Sequence, residues 1–149
     1  MPRPKNPKVE GERAECAFAW QAMEHGLTVS KPYGDSAPYD FIVDSPRSHS
    51  TQYPAPSTKD GREKLWRVQV KSAASLSKGQ TYQASTRHFS NRYRLDEVDF
   101  FAVWVRPLNA WYIVPAEKIV PATSACFYPQ NRNSRGKYEK YREAWRLLS

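Results

Sequence analysis

The sequence predicts one domain of mixed α/β (α+β) architecture, and three observations support this. The chain has 149 residues, which is enough for a single domain with a core of its own. Hydrophobic residues make up 40% and charged residues 26%, as in globular proteins. A helix-forming segment comes first, strand patterns follow it, and shorter helical segments come last.

The first predicted element is a helix over residues 12–25. Residues 1–10 are basic and contain three prolines, so we interpret them as a flexible arm, and the predicted domain occupies residues 11–149. Strong helix formers fill the predicted helix, acidic residues crowd its first turn, and Gly26 suits the position that ends a helix. One face of the helix is apolar and contains Ala14, Ala17, Phe18 and Ala22.

Two short strands and a long polar insert follow the helix. We predict strands at residues 27–30 and 39–44, separated by a turn that contains Pro32 and Gly34. Residues 45–64 are rich in Pro, Ser and Thr and have no hydrophobic pattern. We interpret this insert as a mobile hairpin connection within the domain.

The strand predicted over residues 65–73 alternates between apolar and polar side chains. Its two faces contain Trp66, Val68 and Val70 on one side and Arg67, Gln69 and Lys71 on the other. A lysine is unusual on a strand so well suited to burial. Lys71 therefore has two interpretations: it lies at a sheet edge, where lysine discourages aggregation, or it serves chemistry.

The second half of the chain supplies further strands and the last helices. Residues 99–105 form the most hydrophobic run and predict a buried central strand, with residues 111–114 as the next strand. A short strand is predicted at 82–84 and a short helix at 116–119. The chain closes with a predicted helix over 138–148, whose apolar stripe contains Tyr138, Tyr141, Trp145 and Leu148.

The charge of the chain favours a nucleic-acid partner. Lys and Arg number 23 against 15 Asp and Glu, which gives a net charge of +8. The candidates for DNA contact are Arg67, Lys78, Arg87, Arg92, Arg132, Arg135 and Lys137. Contacts of this kind with phosphates would give affinity and salt dependence rather than sequence choice. A solvated surface is the alternative interpretation of these basic residues.

The sequence argues against zinc-binding, disulfide-linked and membrane-spanning proteins. Cys16 and Cys126 lie far apart without C-x-x-C spacing, which argues against a zinc site and a disulfide framework. Their use suits a reducing, cytoplasmic setting. The sequence has no run of 18 apolar residues and thus no candidate membrane span.

An acid on one predicted strand and a Q-x-K pattern on the next predict a metal-and-phosphate site. Phosphodiester cleavage uses a hard cation and is helped by a nearby positive group, and magnesium prefers oxygen ligands. Asp40 would be the bridging carboxylate, with the Gln69 side-chain carbonyl and the Val70 backbone carbonyl as further ligands. Glu15 would reach the cluster directly or through a water. Lys71 would orient or deprotonate the attacking water and offset charge at the phosphorus.

The ordered motifs Gly11-x-x-x-Glu15, Tyr39-Asp40 and Gln69-Val70-Lys71-Ser72 resemble the PD-(D/E)XK nuclease superfamily. Residues 31–43, 66–72, 98–102 and 111–115 are similar to the group I intron-associated homing endonucleases of that fold. The resemblance to archaeal Holliday junction resolvases is looser.

This resemblance spans about residues 11–116. It implies a restriction-endonuclease-like central mixed sheet flanked by helices, and magnesium-dependent cleavage of double-stranded DNA, with manganese as the alternative ion. It places the helix acid at Glu15, the metal-binding aspartate at Asp40 and the lysine at Lys71. Glu12 competes with Glu15 for the first of these roles.

Gln69 departs from the superfamily pattern, because an acid usually stands at this position. Q-x-K variants occur in some branches, and the lost negative charge either weakens metal binding or marks a DNA-binding protein that no longer cuts. The insert at 45–64 accounts for the long separation between Asp40 and Gln69. Since a duplex has two strands and the chain has one predicted site, we expect a homo-oligomer, either a dimer or a tetramer.

Overall fold

The structure is a computed structural model that describes residues 6–44, 64–75, 81–88, 91–130 and 136–149. In chain order the elements are α1 (Pro7–Glu24), β1 (Thr28–Ser30), β2 (Phe41–Asp44), β3 (Leu65–Ser72), β4 (Ala74–Ser75), β5 (Tyr82–Ser85), β6 (Arg87–His88), β7 (Asn91–Arg92), β8 (Phe100–Val105), β9 (Ala110–Pro115) and β10 (Ser124–Phe127). Short 3₁₀ turns cover Arg106–Leu108, Ala116–Lys118, Glu139–Tyr141 and Trp145–Leu148. Most of the predicted insert at 45–64 lies outside the described residues.

A five-stranded mixed sheet forms the centre of the fold, in the strand order β1-β2-β3-β8-β9. The pair β3–β8 is parallel, and the other pairs of this sheet are antiparallel. The predicted α+β architecture with a mixed sheet is thereby confirmed. β8 is buried as its hydrophobicity predicts and lies inside the sheet between β3 and β9, whereas the central strand is β3. β3 lies between β2 and β8, but its pairing with β2 ends at Val68, so Lys71 is paired only on the β8 side.

Helix α1 packs against one face of this sheet. The ring of Phe18 is fully buried, with its centroid 5.3 Å from Phe41, 5.8 Å from Trp111 and 5.7 Å from Trp145. Burying a ring of this size contributes about 2–3 kcal/mol. The apolar face of β3 joins the same cluster, so the predicted alternation along β3 is confirmed. Its polar side chains therefore lie on the opposite face of the sheet.

A second layer covers the opposite face of the central sheet. A three-stranded sheet of order β10-β5-β4 contributes Tyr82, Ala84 and Phe127 to this core. The rings of Phe127 and Tyr112 lie 4.6 Å apart between centroids. Strands β6 and β7 form a small antiparallel hairpin beside this layer. Among the described residues, no helix is long and apolar enough to cross a membrane.

The helix begins at Pro7, so the predicted start near Gly11 and the assignment of residues 7–10 to a flexible arm are wrong. The side chain of Asn6 accepts a hydrogen bond of 3.0 Å from the backbone N–H of Lys8 and thereby caps the helix. Proline is favoured at the first helical position, where its missing N–H would have no partner in any case. The predicted end is confirmed, because Gly26 follows the helix with a φ of 74°.

The predicted closing helix over 138–148 does not form. Two 3₁₀ turns stand in its place, and Glu143 between them has a φ of 49°. The backbone N–H of Glu143 donates to the carbonyl of Trp111 at 2.7 Å, and its carboxylate accepts from the Trp111 N–H at 2.8 Å. Hydrogen bonds to β9 thus take the place of the backbone hydrogen bonds within a continuous helix. Trp145 and Leu148 are nevertheless buried.

Candidate active site

The residues predicted for chemistry meet at one cleft of about 920 Å³. Asp40 directly precedes β2, while Gln69, Val70 and Lys71 lie near the end of the neighbouring β3. Glu15 reaches the same cleft from α1, and all five of these residues line it. The competing acid Glu12 is exposed and is not part of the cleft lining.

The carboxylate of Asp40 is tied to the backbone of β3. Its Oδ2 atom accepts hydrogen bonds from Gln69 Nε2 at 2.7 Å and from the backbone N–H of Val70 at 2.8 Å. The pairing of β2 with β3 ends at Phe41 and Val68, so the carboxylate takes the place of a strand partner for Val70. Within the described part of the chain, Oδ1 of Asp40 has no hydrogen-bond partner. One oxygen therefore remains open to a ligand.

Burial raises the pKa of Asp40 to about 6. Removal of water from the carboxylate is the main cause, and the negative charge of Glu15 acts in the same direction. The hydrogen bond from Val70 and the positive charges of Lys71 and Lys31 act in the opposite direction. The charge on Asp40 is thus incompletely compensated by the protein, as is common where a cation binds.

Lys71 directs its ammonium toward the segment that contains β6 and β7. Its Nζ donates to the backbone carbonyl of Arg87 at 3.2 Å and lies 5.3 Å from the ring centroid of Tyr93. Burial lowers the pKa of Lys71, and the negative charge of Asp40 opposes this shift. A lysine with a lowered pKa can exchange a proton more readily than an exposed one.

Glu15 forms an ion pair with Lys31, which follows β1. The hydrogen bond with Glu15 is the main reason that the pKa of Lys31 is raised. Lys31 also lies 5.6 Å from the ring centroid of Phe41. Sequence reasoning did not identify Lys31 as a site residue, although it begins one of the segments that carry the family resemblance. The charge of Glu15 is therefore already partly neutralised in the folded chain.

The donor atoms at the cleft fit a hard divalent cation. Asp40 offers a carboxylate oxygen and Val70 a backbone carbonyl, with Glu15 nearby. The amide of Gln69 turns its nitrogen toward both, donating to Asp40 at 2.7 Å and to the Val70 carbonyl at 3.4 Å, and would present its oxygen to a cation once the amide rotates. Magnesium commonly takes one or two carboxylates and completes its coordination with water and substrate phosphate. In the described ranges, no group of three or more His, Cys, Asp or Glu side chains is arranged to hold a metal ion. The set at this cleft differs from such groups because it mixes carboxylate, amide and backbone oxygens.

Of the seven basic residues predicted to contact DNA, the structure describes Arg67, Arg87, Arg92 and Lys137. Arg87 and Arg92 are exposed and lie directly opposite each other in the β6–β7 hairpin. Facing like charges disfavour a strand pair unless an anion lies between or above them. Lys137 is exposed, with its Nζ 5.2 Å from the ring centroid of Tyr138. Lys78, Arg132 and Arg135 lie outside the described residues.

Arg67 has a structural partner that competes with DNA contact. Its Nε and backbone N–H donate to Asp99 Oδ2 at 3.0 and 2.8 Å, and a second guanidinium nitrogen donates to Oδ1 at 2.9 Å. The remaining nitrogen donates to the carbonyl of Asp96. These hydrogen bonds between Arg67 and Asp99 join β3 to the residue that precedes β8. The role of Arg67 in DNA contact stays a prediction.

We expect Asp99→Asn to lower the free energy of unfolding by about 1–2 kcal/mol at neutral pH, because the bidentate partner of Arg67 loses its charge. Burial alone would raise the pKa of Asp99, but the hydrogen bonds and charge of Arg67 hold it below its usual value. This stabilisation is therefore fully present above the unfolded pKa. It is lost as the pH falls through the lower folded pKa. Urea unfolding at neutral and acidic pH measures the effect.

Asp96→Asn is the matched control for this prediction. Asp96 pairs with Arg94 at the surface, where both side chains are mostly exposed. Removing such a pair changes stability by less than about 0.5 kcal/mol. Equal losses in the two variants would show that the Arg67–Asp99 pair does not stabilise the sheet.

Comparisons with known proteins agree with this arrangement. A family model described as PD-(D/E)XK endonuclease matches residues 5–50 and 58–148. A solved structure of a bacterial homing endonuclease, I-Ssp6803I, is similar to this chain with a TM-score of 0.73 and 25% sequence identity. The similarity covers 97% of this chain and 92% of that one. A search of curated proteins gives no match.

Proposed function

The chain belongs to the PD-(D/E)XK endonuclease family, and we propose that it hydrolyses phosphodiester bonds in double-stranded DNA with the help of a divalent metal ion. The observation that carries this proposal is the meeting of Asp40, Gln69, Val70 and Lys71 at one open cleft. The likeness to a bacterial homing endonuclease over nearly the whole chain favours cleavage of the homing type. A structure-selective activity on Holliday junctions has less support.

Magnesium is the proposed ion, with manganese as the alternative. Asp40, through its open Oδ1, together with Gln69 and the Val70 carbonyl would hold it, and Glu15 would join directly or through a water once released from Lys31. Such an ion would offset charge on the phosphate and make a bound water more acidic.

Lys71 is the proposed partner of the phosphate and the attacking water. Lys71 lines the same cleft as Asp40, and its positive charge acts on that carboxylate. A positive group held in a partly desolvated place stabilises charge that develops in the transition state more strongly than the same group in water. Because burial lowers the pKa of Lys71, this side chain also suits a proton exchange with the attacking water.

Three of the residues proposed to contact DNA are exposed in the described part of the chain. Arg87 and Arg92 present two positive charges from one hairpin, and Lys137 adds a third. Arg67, Lys78, Arg132 and Arg135 complete the proposed set. The protein would act as a dimer or tetramer, because two strands must be cut and each chain offers one such site. Its mass in solution, with and without DNA, measures this.

Gln69 supports a different competing proposal, a DNA-binding protein of the same fold that does not cut. Its Nε2 donates to Asp40 at 2.7 Å, where an acid would place a second negative charge. The residue is buried, with 9% of its surface exposed. A neutral side chain at this position makes the site less attractive to a cation than two carboxylates would.

Gln69→Glu should distinguish the two proposals. We expect roughly tenfold tighter binding of a divalent ion, because a second carboxylate faces the cation, with DNA cleavage retained or increased. Without metal the two acids repel each other, so stability should fall by about 1–2 kcal/mol. Calorimetric titration with magnesium and a cleavage assay measure the effects. Gln83→Glu, on β5 and outside the cleft, is the control. Unchanged metal binding and cleavage in Gln69→Glu would favour the non-cutting protein.

The proposed function is tested by incubating the purified protein with supercoiled plasmids and with four-way DNA junctions. The incubations contain either magnesium or a chelator. Cleavage of plasmid that requires magnesium supports the homing-type nuclease. Cleavage of junctions but not of plasmid would favour the resolvase-like activity over the homing-type nuclease. Salt-sensitive binding of DNA without any cleavage would overturn the proposal in favour of a binding protein.

A further inference from the structure

In the described part of the chain, the ammonium of Lys71 contacts two groups that belong to the same short stretch. One is the backbone carbonyl of Arg87 in β6, at 3.2 Å. The other is the ring of Tyr93, whose centroid is 5.3 Å from Nζ. A single hydrogen bond to a carbonyl does not fix the orientation of a lysine ammonium. The contact with the aromatic ring restricts that orientation further.

Tyr93 is itself held rigidly. Only 3% of its surface is exposed, and its ring stands edge-on to the fully buried ring of Phe101, with 5.2 Å between the centroids. Burial raises the pKa of Tyr93 far above its usual value, and the charge of Asp40 adds to this shift. The phenol therefore stays neutral, and its ring stays available to a cation.

We propose that Tyr93 is a positioning residue of the active site, because its ring fixes the ammonium of Lys71 at the cleft. The inference rests on the proposed nuclease function for its consequence in catalysis, while the contact itself is independent of activity. A cation held against an aromatic face gains most where water is excluded. Both partners here are withdrawn from solvent.

The plain alternative is that Tyr93 only fills the core. The two roles make different demands on the side chain. A core residue needs apolar volume, which leucine partly supplies, whereas a partner of Lys71 needs an aromatic ring. Phenylalanine keeps the ring and removes the hydroxyl. Tyr93→Phe and Tyr93→Leu therefore separate the roles, and Phe101→Leu is the matched control for loss of a buried ring in the same pair.

Nuclear magnetic resonance with ¹³C-labelled lysine tests the contact without metal or DNA. The ε-methylene signal of Lys71, assigned by its absence in Lys71→Met, should lie upfield of the other lysine signals, since the face of an aromatic ring shields nearby protons. This shift should persist in Tyr93→Phe and in Phe101→Leu and vanish in Tyr93→Leu. An unshifted Lys71 signal in the wild-type protein would overturn the proposal.

Cleavage kinetics test the consequence for catalysis. We expect Tyr93→Leu to lower the rate of the bound complex about tenfold, the factor that corresponds to a desolvated cation–ring contact, with DNA affinity unchanged. Tyr93→Phe should stay within about twofold of wild type, and so should Phe101→Leu. Equal losses in Tyr93→Leu and Phe101→Leu, or a loss in Tyr93→Phe as large as in Tyr93→Leu, would contradict the positioning role.

The two measurements keep this inference separate from the proposed function. If the wild-type protein cuts no DNA but shows the shifted Lys71 signal, the nuclease proposal fails and the placement of Lys71 by Tyr93 stands. If the protein cuts DNA and the signal is unshifted, the nuclease proposal stands and the placement of Lys71 by Tyr93 fails.

Discussion

Asp40→Asn should reduce DNA cleavage by about 1,000-fold or more and should at the same time make the folded protein more stable. The loss of activity follows from the contacts of the carboxylate. Asp40 is the acid that joins β2 to β3, and it keeps one oxygen open toward the cleft. Asparagine can still accept from Val70 and Gln69, but it lacks the charge that attracts a divalent ion.

The gain in stability follows from the pKa of Asp40, which burial raises to about 6 from 3.8 for an unperturbed aspartate. An acid whose folded pKa is raised resists ionisation, so its charged form destabilises the native state above that pH by about 1–3 kcal/mol. The wild-type protein should therefore gain stability as the pH falls from about 7 toward 4. Asp40→Asn, which carries no charge, should be more stable than wild type near neutral pH and equal to it near pH 4.

Urea unfolding across this pH range measures the stability, and a plasmid assay with magnesium measures the cleavage. Asp44→Asn is the control, because Asp44 lies at the far end of β2 and does not line the cleft. Its cleavage should equal that of wild type. An Asp40→Asn variant that is inactive because it is less stable would show that Asp40 is structural, and retained cleavage would remove it from the site.

Lys71→Met should lower the rate of DNA cleavage by about 100- to 1,000-fold with little change in DNA affinity. The ammonium lies at the cleft, whereas the exposed arginines proposed to bind DNA are untouched. Stability should stay the same or rise slightly, because methionine matches the length of the lysine stem and removes a charge whose pKa is lowered by burial.

Single-turnover cleavage and equilibrium binding to the same DNA separate the two effects of Lys71→Met. Lys118→Met, at an exposed lysine that pairs with Glu117, is the control and should resemble wild type in both measurements. If Lys71→Met lost affinity and rate by the same factor, Lys71 would be a binding residue rather than part of the chemistry.

The sequence predicts the placement of side chains on β3, where local periodicity decides the outcome. Alternation along β3 directs its apolar side chains into the core and leaves Gln69 and Lys71 on the other face, and the structure confirms this division. The position of Asp40 beside them follows from the pairing of β2 with β3. The mixed sheet and the buried β8 follow from the same hydrophobic patterns.

The sequence pattern does not predict contacts between residues that only the tertiary fold brings together. The pair of Glu15 with Lys31 joins the helix to a distant turn, and the contact of Lys71 with Tyr93 crosses from β3 to the hairpin segment. No periodicity links these residues. The predicted closing helix failed for a related reason, because Glu143 bonds to the edge of β9 rather than to its own helix.

Asp40 and its neighbours on β3 are proposed to form a metal-dependent DNA cleavage site. The most direct measurement compares plasmid cleavage by wild type, Asp40→Asn and Lys71→Met over a magnesium titration, with each protein purified in the same way. We predict cleavage by wild type that rises with magnesium and stops with chelator, while both variants bind the plasmid and leave it intact. Cleavage by Asp40→Asn at the wild-type rate, or cleavage by wild type without any divalent ion, would contradict this account.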